Sequence, residues 1–91
     1  MNITESNLYQ RDISKLKINI SSQVEKSLML LIRDINHPSL HNKHIKCKRV
    51  DNLFSIRVNR QYRIMYLKYE VYFELYRLLD HDKYDRLTKG C

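Results

Sequence analysis

Residues 54–79 contain three short stretches that favour β-strands, separated by very short polar connections. In the first stretch apolar and polar side chains alternate, in the order Phe54, Ser55, Ile56, Arg57, Val58 and Asn59. This period of two is typical of a strand with one buried and one exposed face. Further strands are predicted over residues 62–67 and 71–79, with turns at residues 59–61 and 68–70. Connections this short join antiparallel neighbours, so this part of the chain is predicted to be a meander.

The N-terminal part of the chain carries the signals of two helices. After a short strand near residue 3, Ser6 is predicted to cap a helix that buries one face. That face carries Tyr9, Ile13 and Leu16. The second helix is predicted to start at a capping box formed by Ser22 and Glu25 and to end before Pro38. Its predicted apolar stripe consists of Val24, Leu28, Leu31, Ile32 and Ile35.

Together these elements predict an α+β fold in a single domain spanning residues 1–91. A further strand is predicted near residues 44–50, where Ile45, Cys47 and Val50 are the apolar positions. Two N-terminal helices would then pack on one face of an antiparallel sheet and leave the other face open. Residues 80–91 are polar and are predicted to be irregular or to form a short helix.

The chain has a formal net charge of +7, from 17 basic and 10 acidic side chains. This balance favours a polyanionic partner such as nucleic acid, although a basic surface also serves solubility alone. Seven tyrosines and no tryptophan suit half-buried surfaces that can stack on bases. The apolar runs are too short to span a bilayer, and no signal-peptide pattern is present. We therefore expect a cytoplasmic protein without a membrane partner.

Cys47 and Cys91 are the only cysteines. A small secreted scaffold would usually carry more of them, so reduced thiols are predicted, with a catalytic cysteine as the weaker alternative. The sole glycine, Gly90, rules out a glycine-rich phosphate loop. No metal or other cofactor is predicted, because the spacing of the nearby histidines matches no strong zinc signature and a polar loop explains them. These histidines are His37, His41 and His44.

Basic side chains recur with a period of two on neighbouring predicted strands. Arg57 and Arg63 lie six residues apart on adjoining strands of one hairpin, so they can converge on one patch. Lys46 and Lys48 alternate in the same way on the predicted strand before it. For any one of these residues a solvated basic face is the simpler interpretation. The four together indicate a shared anion site.

A second cluster, from Asp80 to Tyr84, follows the last predicted strand and contains His81. A histidine flanked by carboxylates can transfer protons near neutral pH, and Tyr84 offers a hydroxyl group and a stacking face. Taken alone, such a stretch is more often a capping or surface turn. It gains interest because it follows the strand that neighbours the strand of Arg63.

Three blocks of sequence, in this order, resemble the RelE/ParE superfamily of bacterial toxins, the toxin halves of type II toxin–antitoxin modules. The blocks are His37 to Leu40, Phe54 to Ile64, and His81 to Tyr84. The resemblance covers nearly the whole chain and implies a compact fold with two helices on an antiparallel sheet. It also implies one of two activities. The RelE branch cleaves messenger RNA without a metal, usually on the ribosome, whereas the ParE branch inhibits DNA gyrase.

For the RelE-like activity, the resemblance implies that Arg63 and Arg57 stabilise charge on the phosphate and that His81 acts as an acid or a base. Tyr84 would be catalytic or would stack on a base of the substrate. Ser55 stands where some members carry a lysine, which leaves the general base open. The residues expected to contact RNA outside this set are Lys46, Lys48, Arg60 and Lys83.

The predicted function is therefore that of a toxin acting as a metal-independent endoribonuclease on messenger RNA. Two alternatives are a toxin that inhibits DNA gyrase and a non-catalytic RNA-binding protein on the same fold. The predicted partners are messenger RNA, the ribosome and a cognate antitoxin. An acidic segment of that antitoxin would cover the basic face. The antitoxin and this chain could then form a toxin–antitoxin hetero-oligomer.

Overall fold

The computed structural model describes residues 2–91, which form three α-helices, a short 3₁₀ helix and a five-stranded sheet. The helices are α1 (Asn7–Ser14), α2 (Ile18–Arg33) and α3 (His81–Lys89), with the 3₁₀ helix at Pro38–Leu40. The strands are β1 (Asn2–Glu5), β2 (Lys43–His44), β3 (Leu53–Arg57), β4 (Tyr62–Lys68) and β5 (Tyr72–Asp80). They lie in the order β1-β5-β4-β3-β2, so the predicted α+β class and the meander are confirmed.

The sheet is mixed rather than purely antiparallel. Strands β2 to β5 are antiparallel neighbours, as predicted, but β1 pairs in parallel with β5 at the edge of the sheet. The Ser6 N–H continues this pairing by donating to the Leu75 carbonyl at 3.0 Å. The direction of β1 is set by where the helices return the chain rather than by a hairpin turn, so the local pattern around residue 3 could not predict it.

Helices α1 and α2 cover one face of the sheet and form the main core with it. The Ser6 side chain accepts the Tyr9 N–H at 3.0 Å, which confirms the predicted N-cap. Tyr9 is buried, and Ile13 and Leu16 pack beside it, as predicted. The buried residues they meet on the sheet include Ile56, Ile64, Tyr66 and Leu75.

Helix α2 differs from its prediction at its start and along one edge. It begins at Ile18 after Lys17, which makes no side-chain cap, so the predicted capping box of Ser22 and Glu25 lies inside the helix and is wrong. Ile32 is 50% exposed, because it lies one step of about 100° around the helix from buried Leu31. Neither α2 nor any other helix within residues 2–91 is long and apolar enough to cross a membrane.

The opposite face of the sheet is partly covered, which corrects the prediction of an open face. Helix α3 folds back over it and buries Tyr84 in a second, smaller core. The residues buried with Tyr84 are Ile45, Leu53, Met65 and Leu79. The predicted strand at residues 44–50 is reduced to the two residues of β2, and beyond it Cys47 and Val50 face each other across a turn. Lys46 and Lys48 therefore do not alternate along a strand, and that expectation was wrong.

Cys47 and Cys91 form a disulfide bond that connects the turn after β2 to the end of α3. The prediction of two reduced thiols was therefore wrong. The two residues are 44 positions apart, and they meet only because α3 packs back across the sheet. Both pack against the second core.

Candidate active site

Arg57 and Arg63 lie directly opposite each other on the β3–β4 hairpin. They are partners in the strand register, so their side chains leave the same face of the sheet as neighbours. Like charges directly opposite each other in a sheet are unfavourable. The predicted convergence of the two arginines on one patch is confirmed, and the patch is suited to an anion that would relieve their repulsion.

Ser55 holds the guanidinium of Arg63 in a fixed orientation. Its Oγ accepts hydrogen bonds from Arg63 Nε at 3.2 Å and from Arg63 Nη2 at 3.0 Å. Ser55 shares a sheet face with Arg57, as the alternation predicts, but it is 0% exposed. The alternation predicts an exposed face on this side of the strand, and at Ser55 that prediction is wrong because Arg63 and Tyr84 cover the residue. Because this buried hydroxyl is hydrogen-bonded to its partners, it fixes their positions relative to the strand.

Tyr84 reaches the same point from α3. Its hydroxyl is 2.9 Å from Ser55 Oγ, and its ring centroid is 5.4 Å from Arg63 Cζ, within the range of a cation–π contact. The side chain is only 6% exposed, so its ring is packed in the protein. The expectation that Tyr84 stacks on a base of the substrate does not fit this position, whereas its hydroxyl lies at the site.

The electrostatic setting of Arg63 reflects this packing. Burial is the main cause that lowers the pKa of the Arg63 guanidinium, and the charge of Arg57 lowers it further. Tyr84 opposes both effects. Arginine nevertheless stays protonated in proteins, so Arg63 is a partly desolvated, permanently charged donor. Such a cation interacts more strongly with an anion than it would in water.

Arg57, Arg63 and Tyr84 line one open pocket of about 360 Å³. Five of the predicted site residues line it, namely Arg57, Arg60, Arg63, His81 and Tyr84. Its other lining residues are His41, Lys43, Asn59, Gln61 and Asp85. The predicted RNA-contacting residues Lys46, Lys48 and Lys83 lie outside it. Sequence reasoning missed His41 and Lys43 as pocket residues, because both precede the strand predicted near residues 44–50 and a predicted loop does not show which way its side chains point.

His81 is the first residue of α3 and is exposed at the edge of the pocket. Its Nε2 lies 3.3 Å from Asp85 Oδ2, one helical turn along. The preceding residue, Asp80, is the N-cap of α3 and accepts the Lys83 N–H at 2.9 Å. The stretch from Asp80 to Tyr84 is thus both a helix cap and part of the pocket wall.

Two of the three histidines considered for a metal have other partners. His37 Nδ1 accepts the Ser39 N–H at 3.1 Å, and His44 Nε2 lies 2.8 Å from the Asp51 carbonyl. Within residues 2–91 no three histidine, cysteine or acidic side chains are grouped so that they could share a metal ion.

No protein-family model and no curated protein sequence matches this chain. Solved structures of bacterial toxins do match it. A copper-bound mutant toxin from Helicobacter pylori is 19% identical, with a TM-score of 0.76 over 91% of this chain and 97% of that one. YafQ from E. coli is 11% identical, with a TM-score of 0.75 over 91% and 96%. The chain has the fold of these toxins.

The toxin fold extends to proteins solved with their antitoxins. The YoeB–YefM toxin–antitoxin complex from Staphylococcus aureus matches with a TM-score of 0.72 at 16% identity, over 89% of this chain and 97% of that one. Both chains are covered almost completely in these comparisons. The fold implied by the resemblance to RelE/ParE toxins is therefore confirmed. At such low identities the roles of individual side chains depend on the geometry of the pocket itself.

Proposed function

We propose that this chain is the toxin of a type II toxin–antitoxin module and cleaves messenger RNA as a metal-independent endoribonuclease. The observation that carries the proposal is the pairing of Arg57 with Arg63 across one hairpin, in a pocket shared with His81. The toxin fold supports the wider assignment. The pocket supports the narrower one, because its cationic and proton-transfer groups match the needs of phosphodiester cleavage.

The proposed reaction is attack of a ribose 2′-hydroxyl on its adjacent 3′-phosphate. The 2′-oxygen forms a bond to phosphorus while the bond to the 5′-oxygen of the next nucleotide breaks. The products are a 2′,3′-cyclic phosphate and a free 5′-hydroxyl. This reaction requires positive charge near the phosphate and transfer of two protons.

Arg57 and Arg63 are assigned to the phosphate. The Arg57 guanidinium can donate two hydrogen bonds in the geometry that phosphate oxygens accept. Arg63, whose Nε and Nη2 already donate to Ser55 and His41, can donate to the phosphate through Nη1. Arg63 is held by Ser55 before any substrate arrives, so little reorganisation is needed as negative charge grows in the transition state. His81 is assigned to proton transfer, and Tyr84 is assigned a supporting role through its hydroxyl.

Basic residues around the pocket are assigned to the RNA backbone. Arg60 lines the pocket, whereas Lys46, Lys48 and Lys83 are exposed outside it. Contacts of this kind contribute affinity that falls as salt rises. As a toxin of this class, the protein would act in the cytoplasm on messages bound to ribosomes, and an antitoxin with an acidic segment would cover the basic face.

The proposal is tested by inducing expression in bacteria and mapping the 5′ ends of messenger RNA. We expect growth arrest with cleavage inside translated codons, and loss of both in Arg63→Ala and His81→Ala. Arg11→Ala is the matched control, since Arg11 is an exposed arginine on α1 far from the pocket residues in sequence, and it should remain toxic.

Two other outcomes would overturn the proposal. Intact messages together with gyrase-dependent DNA breaks would indicate a gyrase inhibitor instead. Binding of RNA without toxicity or cleavage would indicate a non-catalytic RNA-binding protein.

A further inference from the structure

His41 occupies an unusual backbone position at the edge of the pocket. It follows the 3₁₀ helix with φ 44° and ψ 47°, and it is the only non-glycine residue of the described chain with a positive φ. This left-handed conformation is uncommon for residues with a side chain. The His41 carbonyl accepts a hydrogen bond from Arg63 Nη2 at 2.8 Å, so the site itself holds this turn in place.

The imidazole of His41 presents a hydrogen-bond acceptor to the pocket. Its Nε2 lies 3.4 Å from Arg57 Nη1. A guanidinium has donors only, so the contact requires a lone pair on Nε2, which leaves the ring proton on Nδ1. The contact is long, and the residue is exposed. A phosphate bound by Arg57 would therefore draw the guanidinium away and free this lone pair.

His81 presents the opposite arrangement in the same pocket. Its Nε2 lies 3.3 Å from an oxygen of Asp85, and a carboxylate accepts but does not donate. Nε2 of His81 therefore carries a proton in this contact. In this pocket, therefore, Nε2 of His41 can accept a proton and Nε2 of His81 can donate one.

We infer that His41 is the general base of the proposed cleavage reaction and that His81 is its acid partner. The inference rests on the proposed function. His41 Nε2 takes the proton of the 2′-hydroxyl as the bond from the 2′-oxygen to phosphorus forms. His81 gives a proton to the 5′-oxygen as its bond to phosphorus breaks. After cleavage His41 carries one proton more and His81 one proton fewer than before. Proton exchange with water restores both histidines.

The substitution His41→Asn separates a catalytic role from a structural one. Asparagine tolerates the left-handed backbone and keeps the main-chain carbonyl that accepts from Arg63, but its amide cannot take up a proton. His37→Asn is the matched control. His37 lies outside the pocket and caps the 3₁₀ helix through Nδ1, a function that asparagine can also perform.

The experiment measures single-turnover cleavage by the purified full chain on ribosomes programmed with a message that contains its mapped cleavage site. We expect His41→Asn to be slower by about 10²- to 10⁴-fold and His37→Asn to stay within about twofold of the unmodified protein. A second message carries sulfur in place of the 5′-bridging oxygen at that site. A thiolate leaves without needing a proton, so this message should rescue His81→Asn but not His41→Asn.

Chemical rescue provides a readout that a structural role would not give. His41→Gly removes the ring and relieves the left-handed backbone, and added imidazole should restore part of its activity. The rate of the unmodified protein should also fall at acidic pH in a way that is absent in His41→Asn. The other charged or titratable groups of the pocket, present in both proteins, are Lys43, Arg57, Arg60, Arg63, His81, Tyr84 and Asp85.

Failure of this inference can be distinguished from failure of the proposed function. If the unmodified protein cleaves and His41→Asn cleaves equally fast, His41 is not the base. If the sulfur-containing message rescues His41→Asn, the two roles are reversed and the inference is also wrong. If the unmodified protein cleaves no message at all, the proposed function itself is wrong.

Discussion

At the scale of single residues, the site depends on a buried serine hydroxyl between a cation and a phenol. Ser55 Oγ contacts both Arg63 and the hydroxyl of Tyr84. A family pattern with lysine at this position would place a third positive charge beside two arginines. Serine instead orients the charge that Arg63 already supplies, which makes the site depend on hydrogen-bond geometry rather than on the number of cations.

Ser55→Ala should weaken both folding and cleavage. It removes the hydroxyl that accepts from Arg63 Nε and leaves the buried Tyr84 hydroxyl without its partner, at a cost of about 1–3 kcal/mol in unfolding free energy. Urea denaturation measures the stability, and single-turnover cleavage measures the activity. Ser14→Ala, at an exposed serine, is the control and should change neither. An unchanged cleavage rate in a folded Ser55→Ala protein would show that Arg63 needs no such support.

Arg63→Lys should lose most activity although it conserves the charge. Lysine cannot reproduce the planar guanidinium, which contacts Ser55 through two nitrogens and leaves Nη1 to donate to phosphate. Loss of one such transition-state donor costs on the order of 10²- to 10³-fold in rate. Cleavage assays on the purified protein measure the loss. Full activity of the lysine variant would mean that only net charge matters at this position.

The buried tyrosines should make stability fall at alkaline pH. Burial raises the pKa of Tyr66 to about 12, and it also raises the pKa of Tyr9. In the unfolded chain both phenols ionise near pH 10, so above that pH the unfolded state binds fewer protons and the folded state loses stability. The contribution is complete below pH 10 and is lost as the pH rises toward 12.

Denaturation with urea between pH 9 and 11 measures this dependence on the two tyrosines. Tyr66→Phe should flatten the decline, whereas Tyr69→Phe, at a more exposed site, should leave it unchanged. Equal slopes for Tyr66→Phe and the unmodified protein would contradict the explanation.

At the scale of elements, a single carboxylate connects α1 to the sheet. Asp12 Oδ2 accepts from Arg77 Nε at 2.8 Å and from the Leu78 N–H at 2.9 Å, and Asp12 Oδ1 accepts from Arg77 Nη2 at 3.1 Å. The Arg77 and Asp12 side chains are 26% and 15% exposed. Two-point contact with a guanidinium and a strand amide makes this pair stronger than an ordinary surface ion pair.

Asp12→Ala should therefore destabilise the protein by about 2 kcal/mol or more, because it leaves Arg77 and a strand amide without their acceptor. Thermal or urea unfolding measures the change. Glu25→Ala, at an exposed position of α2, should stay within about 0.5 kcal/mol. A cost for Asp12→Ala no larger than that of the control would show that the ion pair adds nothing to docking of α1.

At the scale of the whole molecule, a disulfide anchors the far end of α3, the helix that supplies one wall of the pocket. Cys47 and Cys91 join the turn after β2 to the end of the helix that carries His81 and Tyr84. The connection closes a loop of 44 residues. It therefore reduces the number of conformations open to the unfolded chain. A reducing compartment would remove this constraint while leaving the packing of Tyr84 in the second core.

Reduction of the Cys47–Cys91 bond should lower the unfolding free energy by about 2–4 kcal/mol. Urea denaturation with and without a dithiol measures the difference in the unmodified protein. Cys91→Ala should have the lower stability in both conditions and should not respond to the dithiol. Identical curves for the oxidised and reduced protein would contradict the prediction.

Several features followed from the sequence alone because they depend on neighbouring residues. Alternation of side chains predicts the strands around Phe54 and the short turns between them. A hairpin with so short a connection has little freedom of register, so the convergence of Arg57 and Arg63 could be predicted correctly. The cap at Ser6 is equally local. The start of α2 could not be predicted in this way. The helix begins before the capping box predicted at Ser22, because tertiary packing stabilises the residues that precede it.

The tertiary structure alone decided which residues lie beside Arg57 and Arg63 in the pocket. The parallel pairing of β1, the return of α3 over Ser55, the entry of His41 and the meeting of Cys47 with Cys91 all connect parts of the chain far apart in sequence. Such contacts depend on how whole elements pack, and no periodic pattern records them. The basic hairpin was thus determined by local sequence, whereas the burial of Ser55, the position of His41 and the assembly of the pocket were determined by packing.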